Sequence, residues 1–424
     1  MNTVVVSPIS ISVTSLRVMW IALGMLAAVK VNVIGDIYLG ELLALVALPF
    51  LLLKRRVDRN VAFVIGFAVF WSAGQFISDL INQTDRNLSL KGVLAPLVFA
   101  ATIGSTMMLF DRYPKRMPSL LLGAALTLFV NVIVSPTPEQ LFEPWKWGYG
   151  FATLGVGLIW LSFFRVRSLL LMSVAVLAFF VACILASARS LAMIPLAGFG
   201  AYIFWNADIA RGFKHWLTGR FGPFKVAALI VMVTWALNTG LTAFFSSGLL
   251  DPFLAPEVAA KYKQQASADV GLLLAGRSES LISIQAYLDS PIVGHGSWAQ
   301  DKSGYISRYT ALLYKLGITD SLNNDDATDL ALIPAHSYLF GAMVWSGLAG
   351  GIFWIAFAFR VVKRYLKFAA RLPLYFHVGL VNLLWNLFFS PFGADARWAV
   401  AVFIAALFAS CNQLGKATSE SPAT

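Results

Sequence analysis

The stretch "PAHSYLFGAMVWSGLAGG", Pro334–Gly351, sets one histidine at the head of an apolar run. Crossing about 30 Å of hydrocarbon takes roughly 20 apolar residues, and the run from His336 to Phe359 is long enough to do so. A titratable ring is costly inside lipid. What His336 does therefore depends on where the run starts relative to the membrane, and the rest of the chain has to decide that.

Of the 424 residues, 58% are hydrophobic and only 12% are charged. The mean hydropathy is +0.74. A soluble chain keeps roughly a quarter of its residues charged, so the composition predicts an all-α polytopic membrane protein. About 12 apolar runs qualify as transmembrane helices. They fall near Leu16–Val33, Ile37–Leu53, Val61–Leu80, Leu88–Phe110, Leu120–Val134, Tyr149–Phe164, Leu169–Ala186, Leu191–Trp205, Val226–Phe245, His336–Phe359, Leu374–Phe389 and Trp398–Cys411. Cys183 and Cys411 lie inside such runs and read as helix-packing residues.

Charge fixes the expected orientation. Basic clusters follow alternate spans: Lys54–Arg59, Asp111–Arg116, Arg165–Arg167, Arg211–Lys225 and Arg360–Arg371. The intervening short loops hold only Lys30, Arg86, Lys91, Lys146, Arg189 and Arg397. Excess Lys and Arg mark the cytoplasmic side, so both termini are expected inside. The net charge of +11 is then an orientation signal and not a nucleic-acid signal. The chain divides into nine spans over residues 1–245, a large outer loop over 246–335, three more spans over 336–413, and a polar tail over 414–424. The loop is expected to carry two amphipathic helices. One presents Leu281, Ile284 and Leu288; the other presents Tyr305, Tyr309, Leu312 and Leu316 ahead of Gly317.

Four residues then stand out at the outer face. Arg189 tips a tight hairpin, Arg277 precedes the first loop helix, Arg397 lies where the last hairpin turns, and His336 opens the tenth span. An isolated arginine at a helix end commonly snorkels to headgroups, and a lone histidine commonly serves a structural role. The orientation rule disfavours arginine in short outer loops, however, and its planar fork suits bidentate phosphate binding. Together the four suggest a site for a phosphate-bearing, lipid-borne substrate. His295, between glycines, reads as a turn residue held in reserve. The acidic run Asn323–Asp329 reads as turn chemistry and not as a metal site.

These features resemble the O-antigen ligase and polymerase superfamily of membrane glycosyltransferases. His336-Ser337 followed by Gly347 and Gly350 is similar to the ligases' histidine motif. "GRSESLISIQAYLDSPIVGHG" (Gly276–Gly296) is similar to a family segment with Gly-Arg ahead of a Gly-x-Gly turn, although Leu281 stands where tryptophan is usual. "SARSLAMIPLAG" (Ser187–Gly198) looks like the family's Ser-Arg hairpin. The resemblance implies a GT-C-like architecture in a Gram-negative inner membrane with a periplasmic active site.

It further implies a donor glycan on undecaprenyl pyrophosphate, with Arg189, Arg277 and Arg397 holding the pyrophosphate and no metal or other cofactor. His336 would be the catalytic base, since histidine is suited to taking a proton near neutral pH. Alternatively His336 binds donor phosphate and a carboxylate such as Glu279 takes the proton. The acceptor would be lipid A–core for a ligase, or a lipid-linked repeat for a polymerase working with a chain-length regulator. Surrounding membrane lipids are the remaining expected partners. From another class, a lipid-linked-oligosaccharide transporter would place charges at mid-membrane and repeat internally, and neither pattern is visible here.

Overall fold

The computed structural model describes residues 13–33, 35–54, 57–164, 168–207, 211–249, 256–267, 279–315 and 332–420. Most of them are helical. The first half holds α1 (Val13–Ala27), α2 (Leu39–Lys54), α3 (Arg59–Asn82), α4 (Arg86–Arg112), α5 (Met117–Val134), α6 (Pro138–Phe142), α7 (Gly150–Phe163), α8 (Leu169–Leu185) and α9 (Arg189–Asn206). The second half holds α10 (Arg211–Thr218), α11 (Gly222–Ser246), α12 (Pro256–Ser267), α13 (Glu279–Asp289), α14 (Tyr305–Lys315), α15 (Tyr338–Ser346), α16 (Leu348–Phe368), α17 (Leu374–Phe389) and α18 (Ala394–Glu420). Two short strands, β1 (Lys30–Asn32) and β2 (Asp36–Tyr38), pair antiparallel and cut the first apolar run short.

Each apolar run of the sequence carries a helix. By length and composition four can cross a membrane: α3, α4, Pro114–Val134 and α18. The pair α9 and α10, bent by 106°, makes up to five. Local chemistry sets several starts. Asp58, Asp85 and Ser168 accept backbone N–H groups at the heads of α3, α4 and α8. The surface fits an apolar surrounding: Leu170, Val174, Leu177, Val181 and Leu185 form one stripe of α8, and each is 47–75% exposed. In water such a stripe would be a large uncovered patch.

The core is the reverse. Ala401, Ala405, Ala406 and Ala409 of α18 have no exposed surface, and small side chains let α18 lie close against α4. Phe99, Phe353, Trp354, Phe357 and Phe392 form a cluster of rings 5.0–6.2 Å apart, Phe353 and Phe357 stacked and the other pairs tilted or edge-on.

Two expectations need correction. The tenth run is not one helix. Gly347, at φ +56, ends α15 and α16 begins beyond it. In a straight helix Tyr338 and Trp354 would lie about 24 Å apart along the axis; their rings are 5.2 Å apart. Ala342 and Gly350 also meet, since a Cβ on Gly350 would lie 2.5 Å from the Ala342 carbonyl oxygen. α15 therefore folds back beside α16 as one arm of a tight hairpin. The close approach expected at Gly347 and Gly350 is real, but the neighbour at Gly350 is the chain's own preceding helix, and at Gly347 it is the backbone of Ile292 and Val293.

The second correction concerns α13. Its buried face is Ile282, Ser283 and Ala286, while Leu288 is 64% exposed. The reason is contact with α15: Ile282 and Ala286 pack with Val344, Ala299, Tyr305 and Ile333. On α14 the expected face holds for Tyr305, Tyr309 and Leu312, and Leu316 lies outside the described residues.

Candidate functional site

The site is built where α17 ends. α9 runs antiparallel to α17, with Gly198 seated on Val378 and Tyr202 against His377. A Cβ on Gly198 would come within 2.5 Å of the Val378 Cα, so only glycine permits this approach. Both helices rise 1.5 Å per residue. Nine residues on from the contact, α9 reaches back to Arg189 and α17 forward to Leu387.

Leu387 is also where α15 starts. The Ser337 hydroxyl donates to the Leu387 carbonyl at 2.7 Å and accepts the Phe340 N–H at 3.0 Å, capping α15. His336, the residue before this cap, is exposed, whereas Ser337, Tyr338 and Leu339 are buried. Ser390 donates to the Asn386 side chain at 2.8 Å on the same end of α17. Arg189 is half-buried at the first position of α9. The imidazole and the N-terminus of α15 are thus held at the end of α17, and α9 runs back toward that same end, with Arg189 at its own N-terminus. Helix N-termini favour anions, and the imidazole adds a group able to accept a proton.

The backbone leading to His336 is held at several points. Ser283 of α13 donates to the Pro334 carbonyl at 2.6 Å, and the Ile333 N–H donates to the Ala299 carbonyl at 2.9 Å. Gln300 and Leu332 form an antiparallel bridge. The segment from Ser290 to Gln300 is in turn clamped against the α15–α16 break. The N–H groups of His295 and Gly296 donate to the carbonyls of Val344 and Trp345 at 2.7 and 3.0 Å, and Leu348 N–H donates to Ile292 at 3.3 Å. The break would otherwise leave helix-end groups bare.

On the far side α3 completes the clamp. Asp79, 3% exposed, accepts the Ser297 N–H at 2.6 Å and the Ser297 hydroxyl at 2.9 Å. Gln75 donates to Ser297 at 2.9 Å, and Ser78 to the Trp345 carbonyl at 2.7 Å. Trp298 is driven to φ +48, rare for a bulky residue, with its ring stacked 4.7 Å from Trp345. Gln75, Ser78 and Asp79 were missed as site-building residues. Their signal was present: Ser72, Gln75, Ser78 and Asp79 form a polar stripe at helical spacing within an apolar span.

The other candidates have different fates. Arg397 is held in an ion pair. Its Nε and Nη2 donate to the Glu41 carboxylate at 2.7 and 2.8 Å, and Nη2 also to the Asp36 carbonyl at 3.2 Å. Glu41 has no exposed surface. The pair ties α18 to α2 beside β2, with Tyr38 donating to Asp395 at 2.6 Å and stacking on Trp398.

His295 is the turn residue it was expected to be. Gly294 and Gly296 flank it at φ +80 and +86, its Nε2 is 2.7 Å from the Ala286 carbonyl, and its ring meets Tyr305 edge-on. Glu279 begins α13, with its side chain outside the description. Arg277, Asp325, Asp326 and Asp329 lie outside the described residues altogether.

Two titratable groups of this loop are displaced from their usual ranges. Burial and the hydrogen bond donated to Asp289 push Tyr305 up to about 12. For Asp301 burial pushes upward, but the N–H groups of Ile306, Tyr305, Ser303 and Gly304 outweigh it and hold the carboxyl below its ordinary value. Comparison with protein-family models, with curated proteins and with solved structures gives no match to this chain.

Proposed function

We propose that this protein is a metal-independent inverting glycosyltransferase of the O-antigen ligase type. It would move a glycan from undecaprenyl pyrophosphate to a hydroxyl of lipid A–core at the periplasmic face of the inner membrane. In this reading the helices make about 12 spans, both termini are cytoplasmic, and residues 246–335 are the periplasmic loop. The observation that carries the reading is exposed His336 held at the end of α17, the end toward which α9 runs back to Arg189, each beside a helix N-terminus.

The step balances simply. The acceptor oxygen bonds to the anomeric carbon from the face opposite the leaving group, and the carbon–oxygen bond to pyrophosphate breaks. The acceptor proton passes to the His336 imidazole, and the bonding electrons leave with undecaprenyl pyrophosphate. Arg189 and Arg277 offset the charge that builds there, and preorganised cations are worth most where water is sparse. The clamp through Ser297, Asp79 and Ser283 supports this role by fixing the backbone that presents the ring.

A second reading has one observation in its favour. The α15–α16 break resembles the discontinuous helices of transporters. There the broken ends serve as ion or substrate sites, whereas here segment 292–297 covers them. The test is transfer by the purified protein supplied with lipid-linked repeat, with and without lipid A–core. His336→Ala and Arg277→Ala should each abolish transfer in an inserted, folded protein, and transfer by the wild type should survive EDTA. Near-normal transfer by His336→Ala would remove the base assignment. Products longer than one repeat without lipid A–core would make the enzyme a polymerase.

A further inference from the structure

The opposite, basic end of the bundle holds a cavity of about 550 Å³ that the proposed transfer does not use. Trp205, Leu366 and Phe368 form apolar walls, each less than 9% exposed. Lys367 and Arg371 stand at its edge and are exposed, and Thr218, Thr418 and Ser419 add hydroxyls. Arg371 already donates one bond, from Nη1 to the Thr418 hydroxyl at 2.9 Å. Lys363, Lys367 and Arg371 are four residues apart, which aligns Lys363 and Lys367 on one stripe of α16 with Arg371 just beyond it.

Beside the cavity lies α10, which has two unlike faces. Phe213, Trp216 and Leu217 share one side, with Leu217 3% exposed and packed inward. Phe213 and Trp216 stack 5.3 Å apart and are 41% and 47% exposed. Arg211, Lys214 and His215 occupy the other side. Lys214 bonds the Trp205 and Ala207 carbonyls at the end of α9, and Lys225 donates to the Trp216 carbonyl at 2.6 Å. Short helices with an aromatic face and a basic face lie flat at the headgroup level.

We infer that this cavity binds one anionic glycerophospholipid. An acyl chain lies against Trp205, Leu366 and Phe368, and the phosphate is held by Lys367 and Arg371, with α10 in the interface alongside. Apolar walls argue against a free small anion as the occupant. Two cations at one mouth argue for an acidic lipid over a zwitterionic one, by about 30-fold in affinity.

The full-length protein in detergent, titrated with phosphatidylglycerol or phosphatidylcholine and read by native mass spectrometry, tests this. One phosphatidylglycerol should be retained about 30-fold more tightly than phosphatidylcholine. The double variant Lys367→Glu with Arg371→Glu should lose that preference. Lys115→Glu with Arg116→Glu, on another basic turn, should keep it. Gly415→Leu leaves the charge unchanged, but its side chain would enter the cavity, because even a Cβ there lies 3.6 Å from the Phe368 ring; it should weaken phosphatidylglycerol itself. Thermal unfolding identifies any variant that fails to fold, and the wild-type comparison stands without it. Equal retention of both lipids, equal loss in the Lys115 and Arg116 control, or displacement by millimolar inorganic phosphate would each overturn the assignment.

Discussion

Arg397 and His336 sit at the same end of the bundle, each beside the start of a helix, and their surroundings are opposite. Arg397 is spent on Glu41, a carboxylate with no exposed surface. His336 carries an exposed ring on a backbone fixed from both sides by Ser283, Ala299 and Leu387. A charge that is buried and paired acts as a latch between elements. A titratable group that is exposed on a rigid mount is free to meet a substrate. Sequence position alone makes the two look alike.

The sharpest way to break this contrast is to truncate both. His336→Ala should reduce transfer by about 10²–10⁴-fold while unfolding moves by no more than about 0.5 kcal/mol. Arg397→Ala should do the reverse. It strands the Glu41 carboxylate and costs about 3–5 kcal/mol in thermal unfolding, with transfer per folded molecule kept. Glu41→Ala should cost a similar amount, and the double variant less than the sum. An Arg397→Ala protein of full stability but no transfer would return Arg397 to the pyrophosphate.

A smaller effect is expected at the break. Gly347→Ala puts a Cβ 2.4 Å from the Ile292 carbonyl at a backbone angle that favours glycine. It should cost on the order of 1–3 kcal/mol and slow transfer through the mount. Unchanged stability would mean that the hairpin is not held as described.

The smallest effect concerns Asp301. Asp301→Asn should remove about 1 kcal/mol from the start of α14, read as faster amide exchange at Tyr305 and Ile306. Because the folded carboxyl is held below its ordinary value, its contribution is full above about pH 4. It fades as pH falls through the folded value. The wild type should lose this protection on acidification, and the variant should lack it throughout.

Much of the fold was legible because hydropathy and charge alternation are local signals. The placement of helices follows from them. What was hidden depends on distant partners. Glu41 lies 356 residues from Arg397 in sequence, so nothing near Arg397 announces the latch. The face of α13 follows Ile282 and Ala286 because α15 packs there, not because of its own periodicity. The break at Gly347 is disguised by apolar residues on both sides. Its clearest sign is outside the run, in Gly294, which lets another backbone approach to within contact of the helix end.

The hairpin also has an order of manufacture built into it. Its carbonyls at Val344 and Trp345 are satisfied by Ser78 and by residues 295 and 296, all of which lie earlier in the chain. A ribosome releases α3 first, then the segment that docks on it, and only afterwards the apolar arms that need both. By the time Gly347 emerges, the partners that satisfy the carbonyls of Val344 and Trp345 have already been made.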